Sequence, residues 1–360
     1  MMSPISNNPQ SATPSFEGGQ VETSVLIVGA GPAGSVCASL LHRAGIDCLL
    51  IDHATFPRDK ICGGGLTPKA WRLLDKLMPG LQYRYNSVNH IRLMIENRLR
   101  CEFDTEAEIR IVRRREFDHL LLQTYQQQGG QYRQDRLVSI DEQADGSLIA
   151  HLGSGCQVRC QYIVGADGSN SHVRRHLTGN ADRGILAMEE YLDKGTYDTT
   201  NDIVLGLSRQ YTRGGYFFRF PNPDVEVVGY GDTCTTPDRF RKVLTDMKIP
   251  VTKLRGAYIY ISNDYPRHER ILLIGDAGGF ANRITCEGLY DAFITAKNAA
   301  EAIINGTSFS IVNRDEYTKM KRQTRRASLF FSTTGFFFLK IACRFPRTVK
   351  RIFDRKMRQE

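Results

Sequence analysis

"SVLIVGAGPAGSVCASLLHRAGIDCLLID", residues 24–52, decides the fold. Val25 to Val28 read as a buried strand that runs straight into Gly29-x-Gly31-x-x-Gly34. A helical pattern follows through Ala38, Leu40, Leu41 and Ala44 and stops at Gly45. A second strand, Cys48 to Ile51, ends at Asp52. Each glycine has a physical task. Gly29 allows a tight turn, Gly31 lets a pyrophosphate approach the backbone, and Gly34 lets helix pack on strand while the helix N-terminus faces the phosphates. Asp52 falls 18 residues after Gly34, where a carboxylate meets ribose hydroxyls. Strand, glycine turn, helix and acid in this order predict a dinucleotide site on a Rossmann-like α/β sheet.

Working outward, the chain of 360 residues is long enough for a sizeable core, and 41% hydrophobic with 24% charged residues suits a globular protein. Residues 1–22 are rich in Ser, Asn, Pro and Gly and read as a flexible tail. No apolar run reaches the roughly eighteen residues that span a bilayer. The nine cysteines are scattered, without a C-x-x-C pair, which argues against a disulfide framework or zinc site and for a reducing, cytoplasmic setting. No histidine pairs with an acid at metal-ligand spacing, so no metal is expected. The net charge of +9 is concentrated at one end: residues 319–360 hold 13 basic and 2 acidic residues, the remainder 35 and 37. A nucleic-acid binder would carry its excess on a structured face, so none is expected.

Two later segments extend the first. "YIVGADGSNSHVRR" (Tyr162 to Arg175) is a strand entering a turn with Asp167 and Gly168. "RILLIGDAGGFANRITCEGLYDAF" (Arg270 to Phe293) is a strand ending at Gly275-Asp276, then a glycine-rich loop, then a helix after Gly288. Together with the front motif and "VRRREFDHLL" (Val112 to Leu121), these resemble the fingerprints of the para-hydroxybenzoate hydroxylase class of FAD proteins. The resemblance implies FAD as cofactor, with Asp276 on the ribityl chain, Asp167 and Gly168 supporting the pyrophosphate, and Arg114 reaching the flavin. For Asp167 a plain turn cap is the competing reading. No second GxGxxG is present, which disfavours a disulfide reductase with its own nicotinamide domain.

"FPRDKICGGGLTPKAW", residues 56–71, follows the Asp52 strand and in such a fold runs towards the flavin ring. Glycines let backbone lie flat beside a planar ring. The loop, with Arg58, Cys62, Gly63 and Gly64, is similar to that of the geranylgeranyl reductase family. So is "GGYFFRFPNPDVEVVGYG" (Gly214 to Gly231), where Tyr216, Phe220 and Pro221 match and Phe218 stands where the family most often has Trp. The resemblance covers about Ser24 to Asn305. It implies reduction of carbon–carbon double bonds in a prenyl chain, with hydride from N5 of reduced FAD and NADPH or a ferredoxin as external donor. An isolated alkene is weakly electrophilic and needs an apolar slot. Tyr216, Phe218 and Phe220 share one strand face and can line it, or simply fill a sheet core. Cys62 can donate a proton or pack, and Glu287 can donate a proton or merely suit a helix start.

The fold class is therefore α/β with an α+β substrate domain. A discontinuous FAD domain (23–80, 106–180, 256–305) surrounds an antiparallel-sheet substrate domain (81–105, 181–255), and a basic, Phe-rich helical segment (306–360) follows. Leu329 to Cys343 as one helix would span ~22 Å, short of a bilayer, so residues 319–360 suit either attachment to an anionic membrane, on its inner face, or a helical cap on the FAD domain. Two other activities fit the fingerprints: an FAD-dependent monooxygenase or halogenase, and a membrane-associated electron-transfer flavoprotein that reduces no alkene.

Overall fold

The computed structural model describes residues 19–179, 184–262 and 265–358. In chain order the elements are β1 (Gln20–Val28), α1 (Pro32–Arg43), β2 (Cys48–Asp52), β3 (Gly65–Leu66), α2 (Pro68–Leu77), β4 (Asn86–Ile95), β5 (Arg98–Ile111), α3 (Arg114–Gln127) and β6 (Gln131–Gln134). Then come β7 (Leu137–Glu142), β8 (Leu148–Leu152), β9 (Gln157–Gly165), α4 (His172–Thr178), β10 (Ile185–Asp193), β11 (Ile203–Leu207), β12 (Tyr216–Pro221), β13 (Val225–Asp232) and α5 (Pro237–Asp246). The chain closes with β14 (Arg255–Ile259), β15 (Ile271–Leu273), α6 (Leu289–Ile304), α7 (Phe309–Val312), α8 (Arg314–Phe330), α9 (Thr333–Ala342) and α10 (Pro346–Arg358).

Among the described residues these strands make two sheets. The first has the order β6-β2-β1-β9-β8-β7, with β15 also on β9. Its central pairings are parallel, Val25 to Val28 lying beside Cys48 to Ile51 and beside Tyr162 to Gly165. Parallel strands are covered on both faces, and β2 is buried along its whole length. Ile27, Leu50, Val164 and Leu272 face α1 and α6, while Leu26, Leu49, Ile163 and Ile271 face the β7–β8 hairpin and α4. Pro32 opens α1 at a position where its missing N–H is not needed, and Gly45 takes φ +75° just past the helix end.

The second sheet runs β14-β10-β13-β12-β11-β4-β5-β3. It is antiparallel except for β11 beside β4, because the long excursion through the first sheet brings the chain back in the same direction. One face of β12 carries Tyr216, Phe218 and Phe220; Phe217, on the other, packs with Tyr230 and Phe240 under α5.

Several boundaries differ from those read in the sequence. β1 begins at Gln20, so the strand takes in the end of the 1–22 tail, and residues 1–18 lie outside the described residues. β5 continues to Ile111 and β14 starts at Arg255, so the second sheet reaches into 106–111 and 256–259. The single helix read over Leu329 to Cys343 is broken: α8 ends at Phe330, and Ser332 caps α9 by accepting from Gly335 N–H at 3.0 Å. The C-terminal helices also cover more than the first sheet. Phe336 of α9 and Cys343 at its end, with Val349 and Phe353 of α10, close an apolar cluster on β4, β5 and β11. No helix among the described residues is long and apolar enough to cross a membrane.

Candidate active site

The first turn is built by close approach. Gly29 has φ +108°, and a side chain there would meet the Ala166–Asp167 backbone within 2.7 Å. A methyl at Gly34 would overlap the Gly29 carbonyl, so α1 packs on β1 only with glycine at that position. A methyl at Gly31 would lie 3.3 Å from Nη2 of Arg58, whose guanidinium therefore overhangs the turn. α4, α5 and α9 are capped by the hydroxyls of Ser171, Thr236 and Ser332. α1 and α6 open on glycines, Gly31 and Gly288, which have no side chain to cap them. Their first N–H groups are left for an outside acceptor. Gly275, at φ +54°, fits between Ala33 of α1 and Ala292 of α6 and brings the two helix starts together.

The acids are held mostly by backbone. Asp52 accepts from Ala30 N–H at 2.7 Å and Ala54 N–H at 2.8 Å, which leaves one lone pair on each oxygen for a ribose. Asp167 caps α4, accepting from His172 N–H at 2.6 Å, while Gly168 next to it takes φ +73°. Burial raises the Asp167 pKa, and its Oδ1 is buried without a hydrogen-bond partner. A methyl at Gly288 would sit 3.2 Å from Oδ1 of Asp276, so that carboxylate lies at the mouth of α6. Arg114 grips buried Asp118 with two bonds of 2.7 and 2.9 Å, and Arg58 lies 3.5 Å from the same carboxylate. Burial alone would lower the Arg114 pKa; Asp118 and the Cys62 thiol, within hydrogen-bonding reach, outweigh it and raise it.

Across from these groups the Cys62 loop is pinned at successive residues. Cys62 N–H donates to Oε2 of Glu189 at 2.9 Å, and the Gly63 carbonyl accepts from Asn222 Nδ2 at 3.1 Å. The Gly64 carbonyl accepts from Val112 N–H at 2.9 Å, and the Cys62 sulfur accepts from Gly64 N–H at 3.4 Å. The aromatic wall stands directly on this loop. A methyl at Gly63 would overlap the Phe220 ring and lie 3.1 Å from Phe218, and the ring centroids of Phe218 and Phe220 are 5.1 Å apart. On the neighbouring strand Gly229 leaves room for the Phe218 ring, which a methyl there would overlap. Tyr216 is 6.2 Å from Phe218, and its hydroxyl donates to the Thr285 carbonyl, closing the wall onto the loop before α6. Burial, then nearby Cys286, Cys62 and Glu287, raise the Tyr216 pKa well above its ordinary value, so the hydroxyl stays protonated.

The structure thus brings together Cys62, Gly63, Gly64, Arg114, Tyr216 and Phe218. Glu287 is differently engaged: its carboxylate bonds Lys69 Nζ at 2.9 Å and the Thr67 hydroxyl, which ties α6 to α2. Sequence reasoning missed Glu189. Its signal was the pair Glu189-Glu190 inside a strand: neighbours point to opposite faces, so two covered faces bury both. Glu190 is held by Thr252 and Lys253, and Glu189 faces the Cys62 loop.

These residues suit FAD. The uncapped starts of α1 and α6, the overhanging Arg58 and the unpartnered Oδ1 of Asp167 offer donors and an acceptor where pyrophosphate, ring edge and sugar hydroxyls need them. Residues 22–189 match the family described as FAD binding domain. The chain is 29% identical over 315 residues to the menaquinone reductase of Mycobacterium tuberculosis, covering 78% of this chain and 76% of that protein. It is 24% identical over 338 residues to the digeranylgeranylglycerophospholipid reductase of Methanosarcina mazei, covering 83% and 80%. The crystal structure of a geranylgeranyl bacteriochlorophyll reductase-like protein from Thermoplasma acidophilum superposes with a TM-score of 0.68 at 18% identity, covering 94% of this chain and 92% of that one. Flavin-dependent halogenases and an FAD-dependent monooxygenase share the fold.

Proposed function

We propose that this protein is an FAD-dependent oxidoreductase that reduces carbon–carbon double bonds of a prenyl chain. The observation that carries the reading is the wall of Phe218 and Phe220 standing on the glycine-bared backbone at Gly63. FAD, when reduced, supplies hydride from N5; NADPH or a ferredoxin would supply the electrons. Gly29, Gly31, Gly34, Asp52, Arg58, Asp167, Gly168, Asp276 and Gly288 would hold the cofactor, and Arg114 and the Cys62 loop would face its ring. Phe218 and Tyr216 would offer an alkene an apolar wall and exclude water, and the Cys62 thiol would give the proton. The relatives named for a menaquinone and for a digeranylgeranyl lipid support a prenyl substrate rather than a small aromatic one.

The substrate lives in a bilayer, and we read residues 319–360 as a peripheral contact with anionic lipid. Leu329, Phe337, Phe338 and Phe345 are each about 60% exposed among basic residues. The test is anaerobic. The purified protein is reduced, prenyl lipids with a quinone, phospholipid or diphosphate head are added, and products are weighed. A gain of two hydrogens with flavin reoxidation is the expected result. In a parallel aerobic assay, oxygen-dependent turnover without such a product would favour the monooxygenase or halogenase reading, and neither result would leave the electron-transfer one.

A further inference from the structure

Glu189 has no part in the reading above, yet it is buried in the middle of β10 and touches the loop that carries Cys62. Its carboxyl takes the Cys62 N–H at 2.9 Å and lies within hydrogen-bonding reach of the Tyr191 hydroxyl, two residues along the same strand face. Tyr191 and Cys62 both line a small cavity, which opens between Lys60, Arg113, Arg114 and Asn222. The acid thus meets the Cys62 backbone and the Tyr191 side chain, and Tyr191 shares the cavity with Cys62.

We propose that Glu189 is the proton store that recharges the Cys62 thiol, filled from solvent through this cavity. The inference rests on the alkene-reducing reading. Each reduced double bond takes up one hydride and one proton. Cys62 gives the proton: its S–H bond breaks, a C–H bond forms, and a thiolate remains beside the Arg114 guanidinium. Tyr191 relays the refill: its O–H proton goes to sulfur and re-forms the S–H bond, the Glu189 O–H bond breaks to reprotonate the tyrosine, and a carboxylate is left near Lys60 and Arg114. Water at the cavity mouth returns the proton. No electrons enter or leave these side chains, and Glu189 acts through Cys62 rather than on substrate.

The electrostatics agree with the geometry. Burial raises the Glu189 pKa to about 8, against the lowering effects of the Cys62 N–H, Lys60, Arg114 and Tyr191. The other charged groups on this side are Arg113 and Arg255, each over the Tyr191 ring, at 5.0 and 4.5 Å. On β13 the register partner is Gly229, which adds no charge, and on β14 it is Arg255. At neutral pH the acid holds its proton and can still release it, the condition for a general acid.

Glu189→Gln keeps an acceptor for the Cys62 N–H and removes the proton. Infrared difference spectra of the FAD-loaded protein without substrate, wild type minus Glu189→Gln, should contain the stretch of a protonated carboxyl group that disappears around pH 8. With a prenyl alkene, Glu189→Gln should turn over about 10²-fold more slowly at unchanged KM and lose the pH dependence near 8, and Glu189→Asp should recover part of the rate. Absence of the titrating band, or wild-type turnover and pH profile in Glu189→Gln, would overturn the proposal while leaving alkene reduction standing. If the wild type reduces no prenyl alkene, the parent reading and this role fall together, whatever the band does.

Discussion

On the first sheet's side of the site, each carboxylate has a charged or backbone partner: Asp52 holds Ala30 and Ala54, Asp167 holds the start of α4, and Asp118 holds Arg114. On the second sheet's side stand stacked rings and one acid, Glu189, whose carboxyl meets a backbone N–H and a tyrosine. Asp118 and Glu189, one on each side, handle charge by opposite physics: Arg114 satisfies the first, and burial suppresses the second.

The sharpest way to break this comparison is to exchange the two treatments. Arg114→Met leaves buried Asp118 with only Arg58, 3.5 Å away, and the loss should approach the roughly 3–5 kcal/mol of a broken buried pair. Denaturant unfolding at pH 7 should register that loss, whereas Glu189→Gln, which removes no charge at that pH, should lose less than about 1 kcal/mol. A large loss in Glu189→Gln would put the two acids in one class.

The second prediction concerns pH. The folded-state pKa of Glu189, about 8, lies above its ordinary 4.5. Between these values the folded protein holds a proton that the unfolded chain has released, so stability falls as pH rises across the window. The fall is at most about 1.4 kcal/mol per pH unit from this group. Unfolding curves at about pH 5, 6.5 and 8 should have a shallower pH slope in Glu189→Gln than in the wild type. Equal slopes would mean that Glu189 is ionised throughout.

A smaller effect tests the wall. Gly63→Ala drives a methyl into Phe220, at a cost of about 1–3 kcal/mol, and should depress turnover on a prenyl alkene more than it depresses FAD binding by absorbance titration. Equal losses would put the loop with the cofactor side alone. The smallest is Ser332→Ala, which removes the α9 cap for about 1 kcal/mol and should leave FAD content untouched. Loss of FAD in that variant would couple the C-terminal helices to the cofactor.

The two sides also differed in how well the sequence disclosed them. The turn at Gly29 to Gly34 is local: strand, glycines, helix and Asp52 lie within a few dozen residues, and their spacing states their geometry. The aromatic face of β12 was legible by strand alternation. Glu189 was not, because its meaning comes from a contact with Cys62, 127 residues away. Asp118 was not, because a helical Asp four residues after Arg114 reads as a surface pair until the helix is seen to be covered. The break at Ser332 was hidden by a continuous apolar run, in which one hydroxyl decides where a new helix starts.

Gly63 and Gly229, one on each side of the Phe218 ring, carry a lesson for how such a pocket changes over time. Both limits on that ring are main chain, so the ring itself is the adjustable part. A smaller residue at position 218 would open room for a broader guest in one step, whereas a larger one would have to push strand or loop aside.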